Sequence, residues 1–545
     1  MTALAVLLRE WARAVWTDLL RQMRWSFLPP LMVYLAAGVS GLSAIVGTFF
    51  VKEYLDLSAA FLAGLSFWAG IPWALKMPLG HLVDLVWRRK AVLVYLGAGL
   101  IAASAAIMYG LVAHTQAMRR VMPAEAWYVL SALMAPVGYV IQDVVADAMT
   151  VEAVPSVDAR GRLLGEAAIK AAHTTMQTLG RVAIVGGLAL VAGLNIFMFH
   201  GVEAMSPSAK AAIYARIYLL SLAVPAVSVA GVALNAVLLA HRARALRRAG
   251  LPAAEVDRLV YQPGEKTKPN WWILGGAAAF AAFTVGLGLG GAAYAQEFVF
   301  AGSMAIVLFL MGRLLRELPA ERARMLVGTA IVIFVFRAVP LPGPGATWFQ
   351  IDVLGFDQQF LAVLDFVASL LALAGMIVLR PLMAARSIAY IVALLSVAAS
   401  LLLMPYVGLY YGIHHWTAAW TGGVVDARFI AVVNTAIESP LGQVAMIPML
   451  AWIAKNAPAH LKATFFAVMA SFTNLALSAS SLGTKYLNQV FVVTREVRDG
   501  ATGAIVTPAD YGQLGRLLIV VAVIAAAAPL GAIFVVQRTR FRTSE

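Results

Sequence analysis

Apolar stretches about as long as a bilayer is thick recur along almost the whole of this chain, and they leave its backbone few ways to fold. In hydrocarbon every amide and carbonyl must be satisfied within the protein, and a helix of about 20 apolar residues does this by itself. Fourteen such stretches can be read: 28–50, 59–79, 91–113, 127–151, 164–199 and 213–239, then 271–294, 298–315, 325–339, 360–379, 388–403, 429–454, 464–490 and 517–536. The composition agrees, with 62% of the 545 residues hydrophobic and 12% charged, against about a quarter charged in soluble domains. The expectation is an all-α, polytopic membrane protein of about 14 transmembrane helices.

The remaining charges sort by side of the membrane. Lys and Arg number 41 against 27 Asp and Glu, a net charge of +14. On a soluble fold that excess would suggest nucleic acid, but little soluble mass exists here to carry a basic face, so no nucleic-acid partner is expected. If the spans alternate, Arg88, Arg89, Lys90, Arg160, Arg162, the basic stretch 241–270, Arg316, Arg322, Arg324, Arg386, Lys455, Lys462 and Arg538 all fall on one side. Positive charge marks the cytoplasmic side, which places both termini there, in an inner membrane. Arg119, Arg120, Arg495 and Arg498 face the other way. Near the start, Arg9, Arg13 and Arg21 alternate with Trp11, Val15 and Leu19 at helical spacing, which suits an amphipathic helix on the cytoplasmic surface. The chain has no cysteine, which excludes disulfides, zinc–thiolate sites and iron–sulfur clusters. His414 and His415 lack acidic partners in the sequence, so neither a metal nor a cofactor is expected.

Sliding the chain on itself exposes a weak internal repeat. Residues 48–55 and 61–63 match 347–354 and 360–362 at an offset of 299, and Pro155 with Leu179-Gly180 matches Pro458 with Leu482-Gly483 at 303. Two six-helix halves in parallel repeat give this pattern, with the solute site between them near the midplane. The chain then divides into an amphipathic segment (1–26), a first bundle (27–240), a basic linker (241–270), an inserted two-helix hairpin (271–324), a second bundle (325–537) and a tail (538–545). The loop Gly80-His81-Leu82-Val83-Asp84-Leu85-Val86-Trp87-Arg88-Arg89-Lys90 resembles the G-x-x-x-D-x-x-x-R-[RK] loop of the major facilitator superfamily. Gly80, Asp84, Arg88 and Arg89 are accordingly gating candidates, a carboxylate pairing with cations at the membrane edge until the halves rock.

Ionisable groups at membrane depth are costly, so each is a functional candidate. Asp143, Asp147 and Thr150 share one face of the fourth span at i, i+4, i+7. In the fifth, Glu166, Lys170, His173, Gln177 and Arg181 form a stripe at i, i+4, i+7, i+11, i+15. No lipid-facing helix tolerates such a stripe, so it must line water or meet the acids of the fourth span. A buried pair of Asp147 with Lys170 or Arg181 is the structural alternative. The second half adds Arg337, Asp365, Asn434, Glu438, Gln443, Asn474 and Lys485. Arg337 precedes Val339-Pro340-Leu341-Pro342-Gly343-Pro344-Gly345, where prolines end the helix before Thr347 resumes it; irregular backbone at depth belongs beside a cavity. Lys76, just before Pro78, is read as snorkelling to the cytoplasmic surface. Gly286-Leu287-Gly288-Leu289-Gly290-Gly291 lies inside an apolar span and reads as small-residue packing, not a phosphate loop. No Walker loop or hydrolase motif appears, so the chain is not expected to be an enzyme. A membrane-embedded transferase, with Glu166 and His173 seven residues apart, or a non-transporting sensor remain the other classes.

Four segments together resemble the folate-biopterin transporter family of the major facilitator superfamily: 72–80 with Asp84; Gln142-Asp143-Val144-Val145-Ala146-Asp147-Ala148 with Val151-Glu152; the Pro-rich break with Leu354-Gly355-Phe356; and Leu441-Gly442-Gln443 through Ala457-Pro458 to Ala463-Thr464-Phe465 and Ser471. The resemblance implies a proton-linked secondary transporter of folates or pterins. It departs from the family pattern in Arg337 and in the heavily charged fifth span. Muropeptide and acyl-coenzyme A transporters look similar around Gln142-Asp143 and Asp147. The expected substrate is thus an organic anion, bound by Lys170, His173, Gln177, Arg181, Arg337, Glu438 and Lys485. Trp73, Trp348 or Phe349 would stack on a pteridine ring. Protons would couple through Asp143, Asp147, Glu166 and Asp365.

Overall fold

Pro29 and Pro30 open the first helix, where missing amide donors cost nothing. This α1 (Leu28–Val39) passes through a single 3-10 turn, Ser40–Ser43, into α2 (Ala44–Tyr54). In this computed structural model, residues 23–55, 57–74, 76–154, 165–261, 269, 271–289, 293–316, 318–378, 386–442, 462–498 and 505–542 are described. The first bundle continues with α3 (Ala59–Ala74), α4 (Lys76–Leu85), α5 (Ala91–Ala113), α6 (Ala124–Ala153), α7 (Glu166–Met198), α8 (Pro207–Ser221) and α9 (Ala223–Arg248). A short helix, α10 (Ala253–Tyr261), stands in the linker, and α11 (Trp271–Leu289) and α12 (Ala295–Leu315) form the inserted hairpin. The second bundle comprises α13 (Ala320–Arg337), α14 (Pro344–Asp352), α15 (Gln358–Val378), α16 (Ile388–Tyr410), α17 (Ala427–Gly442), α18 (Lys462–Val490) and α19 (Leu514–Gln537). Strands β1 (Val497–Arg498) and β2 (Ile505–Thr507) pair antiparallel between the last two helices.

Small residues set the tightest contacts of the first bundle. A Cβ on Gly38 would sit 2.1 Å from the Ile184 carbonyl oxygen, and one on Gly97 would sit 2.6 Å from that of Gly138, so α1 meets α7 and α5 meets α6 nearly backbone to backbone. Such approach is what holds helices together in lipid, where apolar burial offers little. The halves meet along two seams, α3 against α18 and α7 against α15. The hairpin leans on the first of these, with α12 on α18 and α3; Gln296 donates to the Gly64 carbonyl at 3.1 Å. Gly288 lies 3.6 Å, measured from a built Cβ, from the Trp68 ring, as small-residue packing requires.

The fold is the expected one, with differences of detail. Ten helices among the described residues are long and apolar enough to cross a membrane, where fourteen spans are expected. The shortfall lies where helices break, as at α13–α14, or where the described residues stop, as after α17. The first span runs through, as expected, but tightens into a 3-10 turn at Ser40–Ser43. The sixth, expected to end at 239, stays helical to Arg248, so the linker begins later and carries a helix of its own. The amphipathic segment at the start, and the connections holding Arg160, Arg162, Gln443, Lys455 and Pro458, lie outside the described residues.

Candidate functional site

The first helix of each half departs from regular α-helix at corresponding positions, by a 3-10 turn in the first half and a full break in the second. Ser40–Ser43, shifted by the repeat offset of 299, falls on 339–342, the Pro-rich break between α13 and α14. Paired interruptions of this kind mark solute sites in repeat-built transporters, because freed backbone groups need water, solute or side chains. In the second half α18 satisfies them. Ser480 Oγ donates to the Val339 carbonyl (2.6 Å), the Leu341 amide donates to Thr484 Oγ1 (2.9 Å), and Asn488 Nδ2 donates to the Pro342 carbonyl (3.1 Å). Gly343 has φ +83°, and a Cβ there would lie 2.7 Å from Asn488 Nδ2, so glycine alone fits. In the first half one side chain does the work: Asn195 Nδ2 of α7 donates to the Leu42 carbonyl at 3.3 Å.

A charged cluster lies within the first bundle. Lys76 Nζ is 2.6 Å from Asp143 Oδ2 and 2.7 Å from Asp147 Oδ2, and Tyr34 Oη donates to Asp147 Oδ1 at 2.6 Å. Lys76 therefore does not snorkel. It turns inward because two carboxylates one helical turn apart on α6 offer it more than the interface does. Arg181, one expected partner of Asp147, makes no ion pair with it among the described residues. Gly180 makes room for the Tyr34 ring, 2.9 Å from where a Cβ would stand. The break between α3 and α4 is capped from the other half: Asn474 Nδ2 donates to the Trp73 carbonyl at 3.3 Å.

Arg181 on α7 and Arg337 at the end of α13 come from opposite halves and lie near enough for each charge to act on the other. Neither makes an ion pair among the described residues, and Arg337 Nε is buried without a hydrogen-bond partner. Facing like charges are unfavourable unless an anion comes between them. Glu166, Lys170, His173 and Gln177 stand on α7 with Arg181, their side chains outside the described set. Asp365 on α15 has no hydrogen-bond partner among the described residues, and Glu438 accepts a long contact, 3.5 Å, from Asn434.

Other expected site residues are occupied elsewhere. Lys485 pairs with Glu297 of the hairpin at 3.0 Å, and Tyr486 binds the same carboxylate, so this lysine fastens α12 to α18. Trp348 is 2% exposed and Phe349 packs on Tyr410 and Tyr511, which leaves neither free to stack on a solute. Arg88 pairs with Asp257 of α10, so the partner that the loop cation finds is in the linker. Asp84 ends α4 and Arg89 lies in the 3-10 turn Trp87–Arg89; nothing crowds Gly80. His414 and His415 stack at 4.0 Å with no metal-binding group around them among the described residues.

At the end of the bundles away from the linker, a set of contacts ties the halves together, and sequence reasoning missed it. Lys52, closing α2, pairs with Asp352, closing α14. Tyr511 donates to the other Asp352 oxygen, and burial together with that carboxylate pushes its phenol well up, which keeps it a donor. Arg495, expected to be an odd charge on the outer side, binds the Lys52 carbonyl and stands 5.5 Å over the Trp348 ring. Gln358 Nε2 donates to Tyr214 Oη at 2.7 Å across the same seam. The repeat itself was the available signal, since residues 52 and 352 lie within one position of its offset.

The profile of the BT1 family matches residues 37–544. A folate-biopterin transporter of Synechocystis sp. is 23% identical over 463 residues, covering 83% of this chain and 72% of that protein. Among solved structures, a POT family transporter in complex with 5-aminolevulinic acid superposes with a TM-score of 0.62 at 13% identity, covering 95% of this chain and 96% of its own. A nucleoside transporter gives 0.55 at 10% identity, covering 94% and 99%. These relatives are transporters, which sets aside the transferase and sensor readings and establishes the two-bundle major-facilitator fold.

Proposed function

We propose that this chain, which belongs to the BT1 family and is a multi-pass membrane transporter, carries a folate or pterin anion across the inner membrane by proton-coupled alternating access. The observation that carries the proposal is that Arg181 and Arg337, from opposite halves, stand near enough for their charges to interact, while neither makes an ion pair among the described residues. The carboxylates of a folate glutamate are the right charge and shape for two guanidinium forks. Bound there, an anion draws the halves together, and the stripe from Glu166 to Gln177 continues the path along α7. Glu438 and Asp365 line the second half's share of it.

Proton coupling is assigned to Asp143 and Asp147. One lysine serves both carboxylates, so the Lys76 cluster carries one surplus negative charge, and a single proton on either acid makes it neutral. Arg181 lies within reach of the Asp143 charge, so an arriving anion changes the balance of that cluster directly. The contacts of Lys52, Asp352, Tyr511 and Arg495 close the outer end in this state, with both termini cytoplasmic, and they must open in each cycle.

Uptake of labelled folate and pterin into proteoliposomes under an imposed proton gradient tests this. Arg337→Ala is expected to abolish uptake, by about a hundredfold or more for a lost charged contact. Asp147→Asn is expected to stop uphill uptake while sparing exchange. Uphill uptake surviving in Asp147→Asn would sink the coupling assignment, and uptake of a muropeptide or acyl-coenzyme A with silence for folates would discard the vitamin and keep the transporter.

A further inference from the structure

Asp143 and Asp147 share one lysine, and a pair so close takes up its proton as a unit. The hydrogen bonds around the two acids are nevertheless unequal. On Asp147 both oxygens are taken, Oδ1 by the Tyr34 hydroxyl at 2.6 Å and Oδ2 by Lys76 Nζ at 2.7 Å. On Asp143 Lys76 holds Oδ2 at 2.6 Å, while Oδ1 accepts no hydrogen bond among the described residues. The Asp143 side chain is also the drier of the two, 15% exposed against 47%.

A carboxylate that gains a proton turns from acceptor to donor at one oxygen. At Asp147 the new proton stands where Tyr34 or Lys76 already donates, and one of them loses its acceptor. Tyr34 is 6% exposed, its ring is set against Gly180, and its hydroxyl has no second acceptor among the described residues, so turning it away is costly. At Asp143 the proton enters on Oδ1 and disturbs no donor. The other helices packed on α6 bring few charges to the pair. Lys76 of α4 serves both acids, α3 holds no ionisable residue, and Lys90, just before α5, is engaged by Glu152 at 2.9 Å. From α7, Arg181 lies within reach of Asp143.

We infer that the proton of the cycle is carried by Asp143, on Oδ1, and that Tyr34 is the positioning residue that keeps Asp147 as the ionised partner of Lys76. The inference rests on the proposed proton coupling and names its atom. Arg181 then links solute to proton. With the solute site empty the arginine attracts the Asp143 charge; an anion seated on the arginine cancels that attraction, and Asp143 takes a proton from the water on the open side. Lys76 remains an ammonium on Asp147 throughout. When the anion leaves on the far side, the attraction returns and the proton follows it into water.

Infrared difference spectra of the full chain in detergent, recorded as the pH is lowered, read this proton directly, because an undissociated carboxylic acid has a carbonyl band that a carboxylate lacks. Lengthening the acid that holds the proton displaces its band, so the band is expected to move in Asp143→Glu and to stay in place in Asp147→Glu. Tyr34→Phe is expected to split it in two, since losing one hydrogen bond to a charge removes a bias of about tenfold between the acids. That variant keeps the ring and decides the matter should Asp143→Glu fold poorly. A band that follows Asp147→Glu, a single unmoved band in Tyr34→Phe, or no band in the parent would each overturn the assignment. Uptake by the parent under a proton gradient is scored separately. If uptake ignores the gradient while the band behaves as expected, the coupling falls and the protonated atom stands; if uptake follows the gradient while the band follows Asp147→Glu, the coupling stands and the assignment falls.

Discussion

The two interrupted helices share a place in the repeat and solve the same backbone problem differently. At Ser40–Ser43 the chain tightens into a 3-10 turn that keeps most of its hydrogen bonds, and Asn195 supplies the single outside donor. At 338–343 Pro340 and Pro342 remove two donors outright, and α18 answers with Ser480, Thr484 and Asn488. The first break can therefore flex within its own helix, whereas the second is fixed to a helix that forms one seam between the halves. Arg337 stands at that fixed break, and its position is set by the same props.

Three variants rank the difference. Thr484→Val with Asn488→Leu orphans the Leu341 amide and the Pro342 carbonyl, and thermal unfolding in detergent is expected to show a loss of about 1–3 kcal/mol for each group. Asn195→Leu orphans only the Leu42 carbonyl, with an expected loss of about 1 kcal/mol. Ser40→Ala, which removes a hydroxyl bonded to the Ala37 carbonyl of its own helix at 2.6 Å and to Tyr139 of α6, leaves no backbone group orphaned and should cost at most about 0.5–1 kcal/mol. If Asn195→Leu cost as much as the double variant, the two breaks would be equally dependent on their neighbours and the contrast would fail.

The membrane class, the two halves and the inserted hairpin were legible in the sequence because bilayer thickness and repeat symmetry both act on long stretches of chain. The second break was legible too, since proline states its own effect. The first was not, because Ser40-Gly41-Leu42-Ser43 reads as small-residue packing unless it is set against Pro340 and Pro342 at the repeat offset. Charge partners were the least legible part. Spacing put Asp143 and Asp147 on one face correctly, but which cation meets that face depends on how α4 and α6 are rotated about their axes, and Lys76 lies 67 residues away from Asp143. Lys485 was drawn to Glu297 for the same reason, by a hairpin whose docking leaves no periodic trace. Trp348 and Phe349 align with Phe49 and Phe50 in the repeat, and all four are buried, so the symmetry already argued for core rather than contact with solute.

The Lys52–Asp352 contact has a bearing on speed. In the proposed cycle it must break once per turnover, and every additional 1.4 kcal/mol or so in such a closure slows its opening about tenfold. Its side chains keep 15% and 25% of their surface, so water and salt still reach the pair and weaken it relative to a fully buried one. A deeper, drier pair at this position would shut that end more securely and slow such a cycle, while the partly wetted one is the easier to open.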